Sequence, residues 1–558
     1  MILGIDLGTS NSLAAAYIDG EVKLLKNASG SHKYPSVISI SENNVIYTGE
    51  EALMRKKLYA EKTVEMFKRS MGRNITYSLG NKEYKAEDLS AMLLKSIKKD
   101  AEEFFGEKID EAIISVPAFF NNHQRKAVIL AGELAGFKVR RIVNEPTAAA
   151  IAYGITKKEN VDVDKKVIAV LDLGGGTFDI SIIECDDNIM EVVAVCGDNE
   201  LGGGDFTNII VKMFLEKNGI NRELSTEEKE LVWDKAQKAK HQITELGIAK
   251  IECEIEGVCY NYSISETEYE EACMDLLEKI RKLVIKAVDE SKYYLEEITD
   301  IVLVGGGTRL SIVQKCINKM LGREVEYSIN PDEAVVRGVA LQGALINKED
   351  GVEDLIVTDI CPKYIGKKSS RIVEYDNDIE FEIIVNKNTP IPTKKKLGKR
   401  INYRKGAWDM ILIESEDALG IKSNELCDFS YKNPELEGVI YEWYYVTYDI
   451  NGLIYVEVNY PQTGASYGTV VGNDDLGLSD EEIYKQKEEL DKMFSTEKND
   501  ENTLIISRAE RMYEECLGDK RKIIGEYIEA LEEAINMGKE KDIVERRNAL
   551  NNILDLYE

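Results

Sequence analysis

The segment IDLGTSNSLAAAYI at positions 5–18 returns as LDLGGGTFDISII at 171–183. Each copy is an apolar strand, an aspartate, a glycine turn with a hydroxyl residue, and a second apolar strand. No other feature constrains the fold as much, because a duplication of this kind requires two related lobes, each presenting one such hairpin. Around the copies, short apolar runs alternate with helical periods and glycine turns up to about residue 347, the pattern of an α/β architecture. With 558 residues, the chain exceeds a single core and is expected to form two to four domains.

The turns themselves point to phosphate chemistry. Gly8, Gly174, Gly175 and Gly176 let the backbone approach an anion and aim its amides at it. Thr9, Ser10, Asn11 and Thr177 add polar side chains, and Asp6 and Asp172 stand where carboxylates could hold a hydrated Mg²⁺. A third glycine turn, LVGGGTRL at 303–310, carries Gly305, Gly306 and Gly307 between a strand and a helix, a cradle for a nucleoside. No G-x-x-x-x-G-K-[ST] loop occurs, which excludes a P-loop enzyme.

Past the α/β half, Asn347-Lys-Glu-Asp-Gly351 breaks the pattern, and EDLIVT at 353–358 reads as a connector. Residues 359 to about 475 are rich in Val, Ile, Tyr and Thr, with a turn at Asp449-Ile-Asn-Gly452 between two period-two runs. That is an antiparallel β domain. Ser479 with Glu482 forms a capping box that opens a helical tail. The expected division is therefore 1–349 nucleotide-binding, 350–358 connector, 359–477 β domain and 478–558 helical.

Composition limits the partners. A formal charge of −30 repels nucleic acid and anionic lipid surfaces. No run approaches the ~20 apolar residues of a membrane span. The N-terminus reads as a first strand rather than a leader, so a cytoplasmic location is expected. Three histidines and nine cysteines without a C-x-x-C pair leave little material for a metal cluster and predict reduced, buried thiols.

The blocks between the hairpins carry a resemblance. AIISVPAFFNNHQRKAVILAGELAGFKVRRIVNEPTAAAIAYG (112–154), together with IDLGTSNS, TVEMFKRSMGR (63–73), LDLGGGTFD, ELGGGDF (200–206), VGGGTRL and INPDEAV (329–335), resembles the heat-shock protein 70 (DnaK-type) chaperone family. The likeness implies an actin-like, ribonuclease H-like two-lobe ATPase, then an antiparallel β-sandwich and a helical lid. By resemblance, Glu145 faces the attacking water, Asp172 and Thr177 position it, and Lys68 neutralises charge developing on the γ-phosphoryl group. ATP and ADP are the expected ligands, with Mg²⁺ held at Asp6 and Asp172, and K⁺ as an optional companion. Pro146 suits the first turn of a helix ended by Gly154. Pro117, Arg125 and Asp359 match the family's relay between the ATP site and the connector.

On the adenosine side, DKAQKAKHQIT (234–244) supplies Gln237, Lys240, His241 and Thr244, with Arg309 and Asp332 opposite. The family's ribose-contacting glutamate is Gln237 here, and one of its basic residues is His241. The back half matches more loosely: Lys367 replaces an apolar channel residue, and Trp408 takes the central peptide-pocket position. The resemblance implies unfolded or client polypeptides and a J-domain co-chaperone as partners, with an exchange factor optional, acting on a monomer. A specialised single-client chaperone, a metabolite kinase and an actin-like filament protein are the rival readings. The β domain has no use in the last two.

Overall fold

The computed structural model describes residues 1–41, 45–56, 59–80, 82–156, 165–186, 189–325, 329–349, 352, 355–370, 379–402, 407–432, 439–471, 505–506, 509, 512, 518–537 and 540–557. They form two compact units, residues 1–185 with 191–347, and residues 348–558 with 186–190.

The sequence duplication is visible as a duplicated sheet topology. In the first lobe, strand Ile2–Asp6 runs parallel to Glu111–Val116 and antiparallel to Asn11–Ile18, which continues to Glu21–Leu24. In the second, Lys166–Leu173 runs parallel to Asp300–Val304 and antiparallel to Phe178–Asp186, followed by Ile189–Asp198. Both repeated hairpins therefore leave from the same place in their sheets. Parallel strands buried on both faces need continuous apolar runs, and the central Lys166–Leu173 strand is buried from Val167 onward.

Each lobe has its own core, one built on Leu3, Ile5, Ile114 and Leu93, the other on Leu171, Ile180, Phe206 and Ile243. Helices Glu145–Thr156 and Ala334–Ile346 pack against each other. At their crossing, a Cβ on Gly338 would lie 1.7 Å from the Ala148 carbonyl oxygen, so only glycine permits this approach. The helix expected to end at Gly154 continues through it to Thr156. One glycine in a helix costs about 1 kcal/mol, which packing along that length offsets.

The second unit holds two four-stranded antiparallel sheets. One runs Ile379–Val385, Tyr364–Ser370, Ala407–Ser415, Ser423–Lys432; the other runs Thr393–Asn402, Val439–Tyr448, Ile454–Tyr460, Ala465–Val470. Their facing residues, among them Ile365, Leu412, Tyr444, Val446 and Val456, share one core. The expected turn forms: Asp449 Oδ1 accepts from the backbone N–H of Asn451 (2.9 Å) and Leu453 (2.7 Å), and Gly452 takes φ +76°. The end of the expected connector is a strand, Ile356–Ile360, paired with Pro390–Ile391. Helices Gly518–Met537 and Glu540–Tyr557 pack around Ile524, Leu531, Leu550 and Leu554. The capping box at Ser479 lies outside the described residues, as do Asp354 and the side chain of Trp408. The described cysteines are thiols, but not all are buried as expected: Cys259 is exposed and Cys185, Cys316 and Cys427 are half-buried.

Candidate functional site

Between the two hairpins lies a cleft of about 450 Å³. Its wall includes Asp6, Gly8, Thr9, Ser10 and Asn11 of the first hairpin and Asp172, Gly174, Gly175 and Thr177 of the second. The hairpins approach so closely that a Cβ on Gly175 would lie 2.1 Å from Ser10 Oγ. Behind them, the N–H groups of Gly203 and Gly204 bond the carbonyls of Gly174 (2.8 Å) and Gly175 (2.9 Å). This fixes the second turn against the start of helix Gly203–Lys217. Gly176, also expected at the site, packs against Thr9 and Arg69.

Lys68 sits on a single 3-10 turn, Phe67–Ser70, and is 3% exposed. Its ammonium donates to Glu145 Oε1 at 2.7 Å. Glu145 is the first residue of its helix, directly after strand Lys138–Asn144. A carboxylate at such a junction is held by two elements at once, and pairing with Lys68 fixes its remaining rotation. Buried ion pairs of this kind cost several kcal/mol to desolvate, so they mark places where position matters more than stability.

Around this pair the charge does not balance. Asp172 and Asp179 are buried and Asp6 half-buried near Glu145, with Lys68 facing all three and Arg125 also facing Asp179. Burial, reinforced by Glu145, raises Asp6 to about 7, against Lys68 and a hydrogen bond from Ser115 Oγ at 2.9 Å. Burial and Glu145 also raise Asp172. The same causes push Asp179 to about 8, opposed by the Phe119 backbone N–H at 3.1 Å. Asp179 Oδ2 is buried with no hydrogen-bond partner. So much uncompensated acid fits a bound cation. Among the described residues no group of three or more His, Cys, Asp or Glu is arranged to ligate a metal directly.

The residues expected on the adenosine side also line the cleft. Gln237, Lys240, His241 and Thr244 project from helix Thr226–Leu246, facing Gly305, Gly306, Gly307, Arg309 and Asp332. Lys240 donates to the Gly203 carbonyl (2.9 Å), Thr207 Oγ1 (2.8 Å) and Gln237 Oε1 (3.4 Å). Its partners are neutral, and burial lowers its pKa to about 8. Burial and the neighbouring Lys240 also lower His241. Asp332 Oδ2 receives both Arg309 Nη2 (3.1 Å) and Lys33 Nζ (3.0 Å).

Arg125 is 3% exposed and reaches the Phe120 and Ala118 carbonyls (3.0 Å each) and Asn144 Oδ1 (2.8 Å). It thereby ties the segment after Pro117 to the residue before Glu145. Asp359 lies in the second unit and accepts from the Ile360 N–H at 2.8 Å. Lys367 does not face an open channel: it is buried and donates to Tyr444 Oη at 2.6 Å. Tyr444 in turn contacts Glu442, which also accepts from Tyr460 Oη at 2.6 Å.

Several contributors escaped the sequence reading. Arg69 donates to the Gly176 carbonyl (3.1 Å) and pairs with Asp205 (2.5 Å), bracing one hairpin from the opposite lobe. Lys56 pairs with Glu65 (2.8 Å) and with Glu230 at the cleft rim. Asp179 alone carried a legible signal, a single carboxylate inside the apolar strand FDISII.

The family model "Hsp70 protein" matches residues 2–555. The chaperone protein DnaK of Thermosipho africanus is 38% identical over 407 residues, 71% of this chain and 66% of that protein. Its counterpart in Thermosipho melanesiensis is 37% identical over the same lengths. That of Thermotoga neapolitana is 38% identical over 408 residues, 71% of this chain and 67% of the relative. The chain spans about two thirds of the length of the curated relatives it matches. It belongs to the Hsp70 family.

Proposed function

We propose that the chain is an ATP-dependent chaperone that binds and releases unfolded polypeptide segments. The observation that carries this reading is the buried Lys68–Glu145 pair at 2.7 Å, set between two glycine hairpins in one cleft. The hairpin amides and hydroxyls receive the phosphates of ATP. Glu145, Asp172 and Thr177 orient the attacking water, and Lys68 meets the charge that develops on the γ-phosphoryl oxygens. Mg²⁺, when bound, neutralises phosphate charge; Asp6 and Asp172 fit it through its waters, and the same acidic cluster suits K⁺. Gln237, Lys240, His241, Thr244, Arg309 and Asp332 take the nucleoside.

In this reading the front unit is an actin-like ATPase, the paired sheets a peptide-binding sandwich and the terminal helices its lid. Pro117, Arg125 and Asp359 couple the two functions, with Trp408 in the peptide pocket. ATP favours rapid peptide exchange and hydrolysis favours retention. A J-domain protein stimulates hydrolysis, and an exchange factor is optional. A cytoplasmic place of action belongs to the same proposal; no described helix is long and apolar enough to cross a membrane.

The test is stopped-flow release of a labelled unfolded peptide, with single-turnover ATP hydrolysis measured on the same protein. Faster release on adding ATP supports the reading. Hydrolysis that leaves bound peptide indifferent, or phosphoryl transfer to a small metabolite, defeats it.

A further inference from the structure

The outer face of the second sheet in the back unit sets lysines beside aromatic rings. Among the described residues, strand Thr393–Asn402 pairs only with Val439–Tyr448 and so forms the edge of its sheet. The register pairs Lys394 with Thr447, Lys396 with Tyr445 and Gly398 with Trp443. Partners in register share a face, so Lys394 and Lys396 stand beside a row formed by Tyr441, Trp443 and Tyr445. Lys394, Lys395 and Lys396 are exposed, and Tyr441 is 49% exposed. Lys396 Nζ lies 2.9 Å from the centre of the Trp443 ring, and Lys394 Nζ lies 5.3 Å from that of Tyr445. Gly398 leaves the neighbouring place on the edge without a side chain. Among the described residues one carboxylate shares the face, Glu457, which sits one strand further in and accepts from Ser466 Oγ at 2.7 Å.

In a chain of net charge −30, this edge is a cationic island backed by aromatic rings. We propose that it docks an acidic, extended polypeptide segment of a partner protein, added to the sheet along Thr393–Asn402. An added strand would lie ~5 Å away, which brings its alternate carboxylates onto Lys394 and Lys396, on the face that also carries Trp443 and Tyr445, and turns its other side chains to the face of Lys395 and Leu397. Main-chain bonding supplies affinity and alternate side chains supply selectivity in such additions. Three observations select the occupant. The free edge offers peptide hydrogen-bonding groups that a nucleic acid does not complement. Glu457 opposes a polyanion laid across the face, yet lies too far in to oppose one at the edge. Lysines along an edge also repel the same edge of a second copy.

The surface is separate from the ATP cleft and makes no use of turnover. Its test is fluorescence anisotropy of a labelled ten-residue peptide alternating Glu and Val, titrated with the full chain. Binding should weaken about tenfold or more in the double variant Lys394→Glu, Lys396→Glu, equivalent to ~1.4 kcal/mol or more. ATP hydrolysis and binding of an uncharged apolar peptide should be unchanged. On the wild-type protein, raising salt to about 0.5 M should release the acidic peptide, because exposed pairs are screened over a few ångströms there. Equal affinity for a Lys/Val peptide, or an unaltered Glu/Val affinity in the double variant, overturns the proposal. Tighter binding of an oligouridylate of equal charge overturns it in favour of nucleic acid. Self-association that the double variant abolishes, with peptide binding intact, overturns it in favour of a second copy.

Discussion

Lys68 is the residue on which most of the proposed chemistry turns. Replacing it with Ala should leave ATP bound and slow single-turnover hydrolysis by ~10²-fold or more, the usual cost of a lost transition-state contact. Unchanged single-turnover rates with bound ATP would remove Lys68 from the chemical step. The acidic cluster makes a second prediction, about protons. Asp6 and Asp179, raised to about 7 and about 8, hold protons in the folded state that the unfolded chain has released above pH ~4. Folding stability of the ligand-free protein should therefore fall as pH rises from ~4 to 8. Asp179→Asn should flatten that slope and raise stability at pH 8, read from denaturant midpoints across pH. Binding of Mg²⁺-ADP at neutral pH should release protons, because a cation favours the ionised carboxylates. Calorimetry showing heats independent of buffer ionisation enthalpy would contradict this.

Among elements, the crossing of helices Glu145–Thr156 and Ala334–Ile346 is the tightest joint near the site. Gly338→Val must displace the Ala148 backbone, and overpacking of this kind costs roughly 1–3 kcal/mol or more. Because the first helix begins at Glu145, hydrolysis should suffer along with thermal stability; a variant that melts early but hydrolyses normally would separate the joint from the site. The cleft rim depends on another pairing of elements. Lys56, on helix Gly49–Lys56, is buried between Glu65 of its own lobe and Glu230 of the helix opposite. Lys56→Ala removes the cation and leaves two carboxylates facing each other. ADP dissociation, followed with a fluorescent analogue, should quicken about tenfold, the equivalent of ~1.4 kcal/mol. An unchanged rate would mean that these lobes part without breaking this contact.

For the whole molecule, the proposed coupling has a thermodynamic signature. Whatever factor ATP imposes on peptide affinity, peptide must impose on ATP affinity, and such factors usually lie near 5–150. Both can be measured at equilibrium in a Lys68→Ala background that holds ATP without consuming it. Two unequal factors would show that an unaccounted state is populated.

The sequence alone determined the duplicated hairpins, the two-lobed α/β half and most of the residues that line the cleft. Those features are written in local rules: glycine where backbones must approach, apolar runs where strands are buried, and short motifs whose members are neighbours in the chain. Only the tertiary structure decided what depends on residues far apart. It brought Lys68 to Glu145 across 77 positions, braced the second hairpin with Arg69, and placed Lys56 between two distant glutamates. It also turned Lys367 from an expected channel residue into a buried partner of Tyr444. A lysine's long stem can reach water or a core acceptor with equal ease, and which it does depends on partners supplied by another strand.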